Sequence, residues 1–162
     1  MSHTMMNEEN WEITPQFKRD NWDNGPIRLF IGTSENFDRH PEQVYLYSIF
    51  KNTNHPVEVT FLRPSMFPDW TRQGWGTPFT CFRYAIPEMC NFKGRALYTD
   101  CDMINFRDLH HLWRTDLKGK PFGMVWDSLQ MNSDKFKGTE YARGWWCDSV
   151  MLIDCEKAKD YI

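Results

Sequence analysis

The chain has 162 residues and a mass of 19.5 kDa, the size of one domain with a substantial hydrophobic core. Hydrophobic residues make up 41% of it and charged residues 25%, which indicates a globular protein and excludes a disordered or fibrous one. The 19 Lys and Arg residues and 22 Asp and Glu residues give a formal net charge of -3. Because binding to a phosphate backbone usually needs a basic excess, nucleic acid is not an expected partner.

Hydropathy and cysteine usage predict the compartment. No apolar run approaches the roughly 20 residues that a membrane helix needs, and the polar, acid-containing residues 1–24 are unlike a signal peptide. Five cysteines are an odd number, and none forms a CxxC pair, which favours free thiols over disulfides or a structural zinc site. They are Cys81, Cys90, Cys101, Cys147 and Cys155. The sequence therefore predicts a cytoplasmic protein with no transmembrane segment.

The first half of the chain predicts a strand, a helix and a second strand. Residues 1–25 are expected to be a polar extension and residues 26–162 the domain, because Asn24-Gly25-Pro26 breaks regular structure. The apolar run Ile27–Ile31 predicts a buried strand that ends at Gly32. From Pro41 to about Asn52, apolar residues are spaced as one helical face: Val44, Leu46, Tyr47, Ile49 and Phe50. With a further strand at Val57–Leu62, this order is typical of a parallel βαβ unit.

The second half predicts shorter elements. Residues 63–80, with three Pro and two Gly, are expected to be a long irregular loop, a feature often functional in compact domains. The remaining predictions are a helix from about Thr80 to Cys90, strands at Arg95–Tyr98, Gly123–Trp126 and Ser149–Asp154, a small helix with Leu109, Leu112 and Trp113, a polar loop at residues 135–144, and a last helix from Glu156.

The segment Asp100-Cys101-Asp102 is the strongest candidate for chemistry. Two carboxylates just past a strand end can reach one hard divalent cation, and such a cation can bridge a diphosphate. With 13 Asp in the chain, about one Asp-x-Asp is expected by chance, so the motif alone has little weight. Its position adds weight, because ligands of open α/β sheets bind outside the carboxyl ends of the strands. The structural alternative is a pair of solvated acids that begin a turn.

Four segments together resemble the retaining glycosyltransferases of glycosyltransferase family 8. They are residues 27–37, 79–87, 95–104 around the acidic motif, and 146–154. Their order and spacing agree with that family over roughly residues 27–160, which is far more specific than the acidic motif alone. The resemblance implies an α/β fold of the three-layer GT-A type, in which a mostly parallel central sheet binds a nucleotide-diphospho-sugar.

The resemblance also implies roles for individual residues. Asp100 and Asp102 would ligate manganese, or magnesium, and through it the diphosphate of a UDP-sugar. The uridine and ribose would be framed by Ile31, Gly32, Thr33, Ser34 and Phe37. Arg83 would contact the sugar or phosphates of the donor, a role suited to its fixed fork of donors, with a helix-surface arginine as the alternative. Tyr98 and Cys101 would lie beside the nucleotide, Cys101 mainly through its backbone.

The sequence also departs from the family pattern. Cys147 stands where a sugar-contacting asparagine is expected. The family continues with an Asp and Gln motif and then a His and Lys motif that holds a third metal ligand, whereas this chain ends at Ile162. A C-terminally abbreviated domain is therefore expected, and no catalytic residue is assigned. His110 and His111 precede the last strand and are not expected to replace the missing ligand.

The leading hypothesis is a metal-dependent glycosyltransferase of hexosyltransferase type. It would transfer a sugar from a UDP-sugar to a hydroxyl of a carbohydrate, lipid or protein acceptor, with retention. A noncatalytic nucleotide-sugar or carbohydrate-binding module is the alternative, and a metal-dependent nucleotidyl or phosphoryl transferase is a third hypothesis. Assembly into a homo-oligomer is left open.

A few other residues are weaker candidates. Exposed tryptophans stack on sugars, although buried or capping tryptophans are commoner; the candidates are Trp70, Trp75, Trp145 and Trp146. Asp127 follows a predicted strand and could contact the acceptor or simply begin a turn. Lys118-Gly119-Lys120 is expected to be a solvated loop, because no Gly-rich loop leads from it into a helix.

Overall fold

A computed structural model describes residues 25–35, 39–70, 77, 79–127, 138 and 145–162. The predicted extension lies outside them except for Gly25, as does most of the predicted loop at 135–144. The strands are β1 (Ile27–Gly32), β2 (Val57–Leu62), β3 (Arg95–Asp100), β4 (Phe122–Asp127) and β5 (Trp145–Asp154). The α-helices are α1 (Arg39–Asn52), α2 (Ile86–Met89), α3 (Leu109–Trp113) and α4 (Cys155–Ala158), and 3₁₀ helices cover Pro64–Met66, Thr80–Ala85 and Lys159–Tyr161.

One sheet of five strands, in the order β2-β1-β3-β5-β4, forms the centre of the molecule. β1 pairs in parallel with β2 and β3, whereas β5 is antiparallel to both β3 and β4. Four strands therefore point one way and β5 points the other. The predicted βαβ unit is confirmed, and the carboxyl ends of β1, β2 and β3 meet at one edge.

The alternating side chains of the strands build a core on each face of the sheet. On one face, α1 and α3 cover Leu29, Ile31 and Leu97. On the other face, the 3₁₀ helix Thr80–Ala85, α2 and α4 cover Phe30 and residues of β3 and β5. Because successive strand residues point to opposite faces, Leu29 and Ile31 of β1 supply one core and Phe30 supplies the other. The result is the three-layer α/β architecture that the sequence predicts.

The predicted apolar face of α1 is only partly correct. Ile49 is buried and Leu46 packs against the core, whereas Val44, Tyr47 and Phe50 are exposed. The other residues on the buried face are Glu42, Tyr45 and Ser48. Two of these buried residues are polar, and each has partners outside its own helical turn: Glu42 binds Arg63, and Ser48 accepts a hydrogen bond from the Asn105 backbone. Paired polar groups can be buried at low cost, so hydropathy alone misplaced part of the face.

The predicted helix from Thr80 to Cys90 is divided into two kinds of helix. A 3₁₀ helix covers Thr80–Ala85, and the α-helix begins only at Ile86. Pro87 explains the division, because proline has no N–H to donate to the carbonyl four residues earlier and its ring collides with that carbonyl. The preceding turn therefore closes with the shorter 3₁₀ bond, from the Ile86 N–H to the Arg83 carbonyl.

The last two strands differ from the prediction in length and register. β5 begins at Trp145, four residues before the predicted start at Ser149. Its pairing with β4 changes register between Met124, which pairs with Met151, and Val125, which pairs with Cys147. All five cysteines are free, as predicted. None of the helices in the described part of the chain is long and apolar enough to cross a bilayer.

Candidate functional site

The predicted nucleotide loop and the acidic motif meet at the carboxyl edge of the sheet. Gly32, the last residue of β1, pairs with Leu62 on one side and with Asp100 on the other. The residues that follow β1 and β3 therefore leave the sheet side by side. Such an edge is where open α/β sheets bind ligands, so the structure brings the two predicted halves of the site together.

A tyrosine and an arginine contact the buried side of the Asp100 carboxylate. The Tyr98 hydroxyl donates a hydrogen bond of 2.7 Å to Asp100 Oδ1, and Arg83 Nη2 lies 3.5 Å from the same oxygen. The Asp100 side chain is 20% exposed, while that of Arg83 is 2% exposed. The carboxylate thus has fixed donors on its buried side and an open side toward solvent, an arrangement that orients it for a cation.

Arg83 joins two carboxylates. Its Nη1 lies 2.9 Å from Asp148 Oδ1 and also donates to the Asp148 carbonyl, and its Nε donates to the Thr80 carbonyl at 2.7 Å. The guanidinium therefore donates hydrogen bonds to Thr80, Asp100 and Asp148 and also forms an ion pair with the Asp148 carboxylate. The predicted contact of Arg83 with the donor stays a prediction, and the geometry shows a residue that positions Asp100 and Asp148.

The Tyr98 hydroxyl that contacts Asp100 keeps its proton. Burial, more than any other cause, raises the pKa of its hydroxyl, and the nearby Asp100 and Asp148 carboxylates add to this effect. The Arg83 guanidinium stacks on the Tyr98 ring at 4.4 Å from its centre, a cation–π contact. A hydroxyl that keeps its proton is a permanent donor, so Asp100 retains this hydrogen bond throughout the neutral range.

The loop after β1 is held by a partly buried ion pair. Arg63 Nη2 lies 2.8 Å from Glu42 Oε2, and the Thr33 hydroxyl donates a 2.6 Å hydrogen bond to Glu42 Oε1. Arg63 Nη1 also donates to the Ser34 carbonyl at 3.2 Å. Ile31, Gly32 and Thr33 are buried, and Ser34 is half-buried. These contacts give the predicted uridine loop one defined conformation.

The two other members of the acidic motif have opposite environments. The Cys101 side chain is buried, and burial raises the pKa of its thiol, so only its backbone can face a ligand. Asp102 is exposed. Within the described residues, no three His, Cys, Asp or Glu side chains converge as a metal site. Asp100 and Asp102 thus remain a two-carboxylate candidate for the predicted manganese or magnesium.

The weaker candidates are dispersed. Trp70 packs against Phe67 and Phe82, with ring centres 5.3 and 6.2 Å away, and so caps the core. Trp146 is 61% exposed and contacts the ring of Trp126. Phe37, Trp75 and the Trp145 side chain lie outside the described residues.

The remaining candidates lie in a turn, at the end of a strand and on α3. Lys118 and Gly119 have positive φ angles of 48° and 78°, as expected for a solvated turn. Asp127 ends β4 and pairs with Trp145. His110 stacks on His55 with ring centres 4.6 Å apart, on the α3 side of the molecule and away from the acidic motif.

Three residues of this site were missed by the sequence analysis: Glu42, Arg63 and Asp148. Arg63 directly follows β2 and could have been found by the strand-end rule that selected Asp100. Glu42 and Asp148 carry no comparable local signal, because a single acid in a helix or strand is usually solvated.

The comparison with protein families matches one family model. Residues 34–159 match the model described as "Glycosyl transferase family 8". Protein CDI of Arabidopsis thaliana is 29% identical over 150 aligned residues, which cover 83% of this chain and 55% of that protein.

Solved glycosyltransferase structures share the fold. The galactosyltransferase LgtC, in complex with donor and acceptor sugar analogues, superposes with a TM-score of 0.58 at 16% identity, covering 83% of this chain and 60% of its own. For the bifunctional glycosyltransferase WbbM the TM-score is 0.66 at 13% identity, and the match covers 92% of this chain and 34% of WbbM. For GlyE of Streptococcus pneumoniae TIGR4 the TM-score is 0.57 at 19% identity, and the match covers 85% of this chain and 36% of GlyE. The predicted GT-A architecture is confirmed, and the chain spans from about a third to 60% of these relatives' lengths.

Proposed function

The chain belongs to glycosyl transferase family 8, and from this we propose that it is a metal-dependent hexosyltransferase whose donor is a UDP-sugar. The acceptor is a hydroxyl of a carbohydrate, lipid or protein, and transfer proceeds with retention at the sugar carbon. The observation that carries the proposal is the oriented Asp100 carboxylate, held by Tyr98 and Arg83 at the edge where the β1 loop leaves the sheet.

The charge of the site supports a cation-dependent mode of binding. Asp100, Asp102 and Asp148 supply three carboxylates, and Arg83 supplies one guanidinium, so the formal charge of this set is -2. A nucleoside diphosphate is itself an anion and would be repelled by such a site. Asp100 and Asp102 would hold a divalent cation whose charge would offset this repulsion, which is the reason for proposing metal dependence.

The residues present fit a hard, oxygen-coordinated cation. Asp100 and Asp102 offer carboxylate oxygens only, the preferred ligands of Mg²⁺ and Mn²⁺. Two protein carboxylates leave most coordination positions to phosphate oxygens and water, as is usual for cations that act with nucleotides. When bound, the cation would neutralise charge that develops on the departing diphosphate.

Residues of the chain itself position the nucleoside loop and the carboxylates of the site. The Glu42–Arg63 pair holds the loop of Thr33 and Ser34 for the nucleoside. Arg83 keeps the carboxylates of Asp100 and Asp148 at a fixed separation. Fixed placement of charged groups before the substrate arrives lowers the reorganisation needed in the transition state.

Calorimetric titration with UDP tests the proposal. In MnCl₂ we expect a single site for UDP, and in excess EDTA we expect the affinity to fall by at least about tenfold, since the repulsion is then unscreened. Asp100→Asn should show a loss of similar size in MnCl₂. Asp160→Asn, an exposed acid in the last 3₁₀ helix, is the matched control and should bind as the wild type does.

Binding that is equal in EDTA and MnCl₂ would contradict the proposal, and so would binding undiminished in Asp100→Asn. Folding of each variant is compared first by its thermal midpoint. Turnover is measured separately as UDP released from UDP-glucose or UDP-galactose.

A noncatalytic binding module is the second candidate, and Cys147 at the position expected for a sugar-contacting asparagine favours it. It shares the expected calorimetric result but not turnover. A transferase should release some UDP by hydrolysis even without its acceptor, whereas a pure binding module should release none. A preference for an intact nucleoside triphosphate would instead favour a nucleotidyl or phosphoryl transferase.

A further inference from the structure

Two buried thiols lie close together where α2 packs near α4, outside the proposed donor site. Cys90 follows the last residue of α2, and Cys155 begins α4. They are 6% and 0% exposed, and both belong to the core on the α2 and α4 face of the sheet. The two thiols are close enough for each to shift the pKa of the other. The closure of a disulfide requires two thiols that are neighbours in this way.

The backbone holds both cysteines through the same short segment. After Cys90 the chain turns sharply, with positive φ angles of 52° at both Asn91 and Phe92. The turn is closed by a 2.7 Å hydrogen bond from the Phe92 N–H to the Pro87 carbonyl. Four residues after Cys90, the Gly94 carbonyl accepts a 2.8 Å hydrogen bond from the Cys155 N–H. The backbone thus holds the two cysteines on neighbouring segments.

A cleft gives small molecules access to one of the two thiols. It has a volume of about 280 Å³, and its lining includes Cys90, Arg28, Glu58 and Thr60. The Arg28 side chain is fixed there by hydrogen bonds from Nε to the Arg95 carbonyl at 2.8 Å and from Nη2 to the Lys93 carbonyl at 2.6 Å. Cys155 has no exposed surface, so a reagent in the cleft meets Cys90 first.

The surroundings also make Cys90 the more reactive thiol. The hydrogen bond from Cys155 and the nearby Arg28 guanidinium lower the pKa of Cys90, although burial and Glu58 oppose them. The same hydrogen bond, together with burial, raises the pKa of Cys155. Because the thiolate is the nucleophile, Cys90 is the thiol to attack an oxidant and Cys155 is the one to resolve the product.

We propose that Cys90 and Cys155 are a thiol oxidation site that hydrogen peroxide converts to an intramolecular disulfide. The Cys90 thiolate attacks one peroxide oxygen, the O–O bond breaks, and the leaving hydroxide takes up a proton to become water. The Cys155 sulfur then attacks the Cys90 sulfenic acid, loses its proton, and expels the hydroxyl as a second water. Both sulfurs are oxidised and the peroxide is reduced to two waters, so the reaction balances.

Peptide mapping of the full chain tests this site. The reduced protein is freed of thiol, treated with graded hydrogen peroxide, denatured in N-ethylmaleimide and digested without reduction. We expect a cross-linked peptide pair that contains Cys90 and Cys155, a mass decrease of about 2 Da for the two hydrogens lost, and two fewer alkylated thiols per chain. Dithiothreitol should restore both thiols.

Two variants keep the test decisive. In Cys155→Ser the resolving thiol is absent, and we expect Cys90 to be trapped as a sulfenic acid that reacts with dimedone. Cys147→Ser, which alters a half-buried thiol elsewhere, should form the same cross-link as the wild type. Cross-links mainly to other cysteines, mainly between chains, or none at peroxide levels that oxidise Cys147 would overturn the proposal. If Cys155→Ser does not fold, the peptide map of the wild-type protein is the deciding result.

Discussion

At the scale of the residue, Gly32 shows how closely the sheet edge is packed. It ends β1 between β2 and β3, and a Cβ placed on it would overlap the Tyr98 hydroxyl and lie 2.9 Å from Phe79 Cδ2. Only glycine leaves room for Tyr98 to reach Asp100. The residue that the sequence analysis assigned to the nucleotide loop thus also makes space for the tyrosine that orients the acidic motif.

Gly32→Ala is therefore expected to destabilise the protein by about 1 to 3 kcal/mol, the usual cost of overpacking a core. Urea denaturation measures it. Gly25→Ala is the matched control, because a Cβ there meets nothing within 4 Å, and it should change stability by less than about 0.5 kcal/mol.

The Tyr98→Phe background identifies the cause of the loss. Removal of the hydroxyl removes the atom nearest to the new methyl group, so Gly32→Ala should cost about 1 kcal/mol less in that background. Equal costs in the two backgrounds would show that Tyr98 is not the residue that requires the glycine.

At the scale of the element, one ion pair connects α1, the β1 loop and the end of β2. Glu42 belongs to the first turn of α1 and is buried, and Arg63 reaches it from the residue after β2. The Thr33 hydroxyl completes the set from the end of β1. A charge that is buried with its partner must keep that partner, because a lone buried charge is costly.

Glu42→Gln should consequently destabilise the fold by about 2 to 3 kcal/mol, since it leaves Arg63 without its carboxylate while nearly preserving shape. Urea denaturation gives the value, and calorimetry should show weaker UDP binding where the loop is loosened. Glu88→Gln, an exposed acid of α2, is the control and should have little effect on either measurement. A loss in Glu42→Gln no greater than that in Glu88→Gln would contradict the assigned role of the pair.

At the scale of the whole molecule, buried ionisable groups couple stability to alkaline pH. Burial is the largest cause that raises the pKa values of Tyr45, Tyr84, Tyr98 and Cys101 above their ordinary values of 10.0 for tyrosine and 9.0 for cysteine. In the unfolded chain these groups lose their protons at those ordinary values, while the folded protein still holds them. Their contribution to the free energy of unfolding is complete below pH 9 and is lost as the pH rises above it.

The free energy of unfolding should therefore fall from about pH 9, and more steeply above pH 10, where the tyrosines of the unfolded chain ionise. Urea denaturation at pH 8, 9, 10 and 11 measures the slope. Tyr98→Phe removes one of the three tyrosines and should flatten the decline above pH 10, with a constant offset from the wild type below it. Parallel curves over the whole range would rule out Tyr98 as a contributor.

The sequence by itself determined the strands and their order along the chain, and its resemblance to a family indicated the class of the fold. Ile27–Ile31, Val57–Leu62 and the strand before Asp100 are recognised from local hydropathy because each is an apolar segment between breakers. The strand-end rule then places the acidic motif at the correct edge, because parallel strands begin and end together. These properties depend on residues within a few positions of one another, so they are encoded locally.

Only the tertiary structure decided which groups meet. Arg83 binds Asp148 across 65 residues of sequence, and Glu42 binds Arg63 across 21. Cys90 and Cys155, also far apart in the sequence, belong to the same buried cluster. The buried face of α1 was only partly predicted for the same reason, because Glu42 and Ser48 are buried with partners that other elements supply. Pairing of this kind is set by strand register and helix packing, and neither is written in any short segment of the chain.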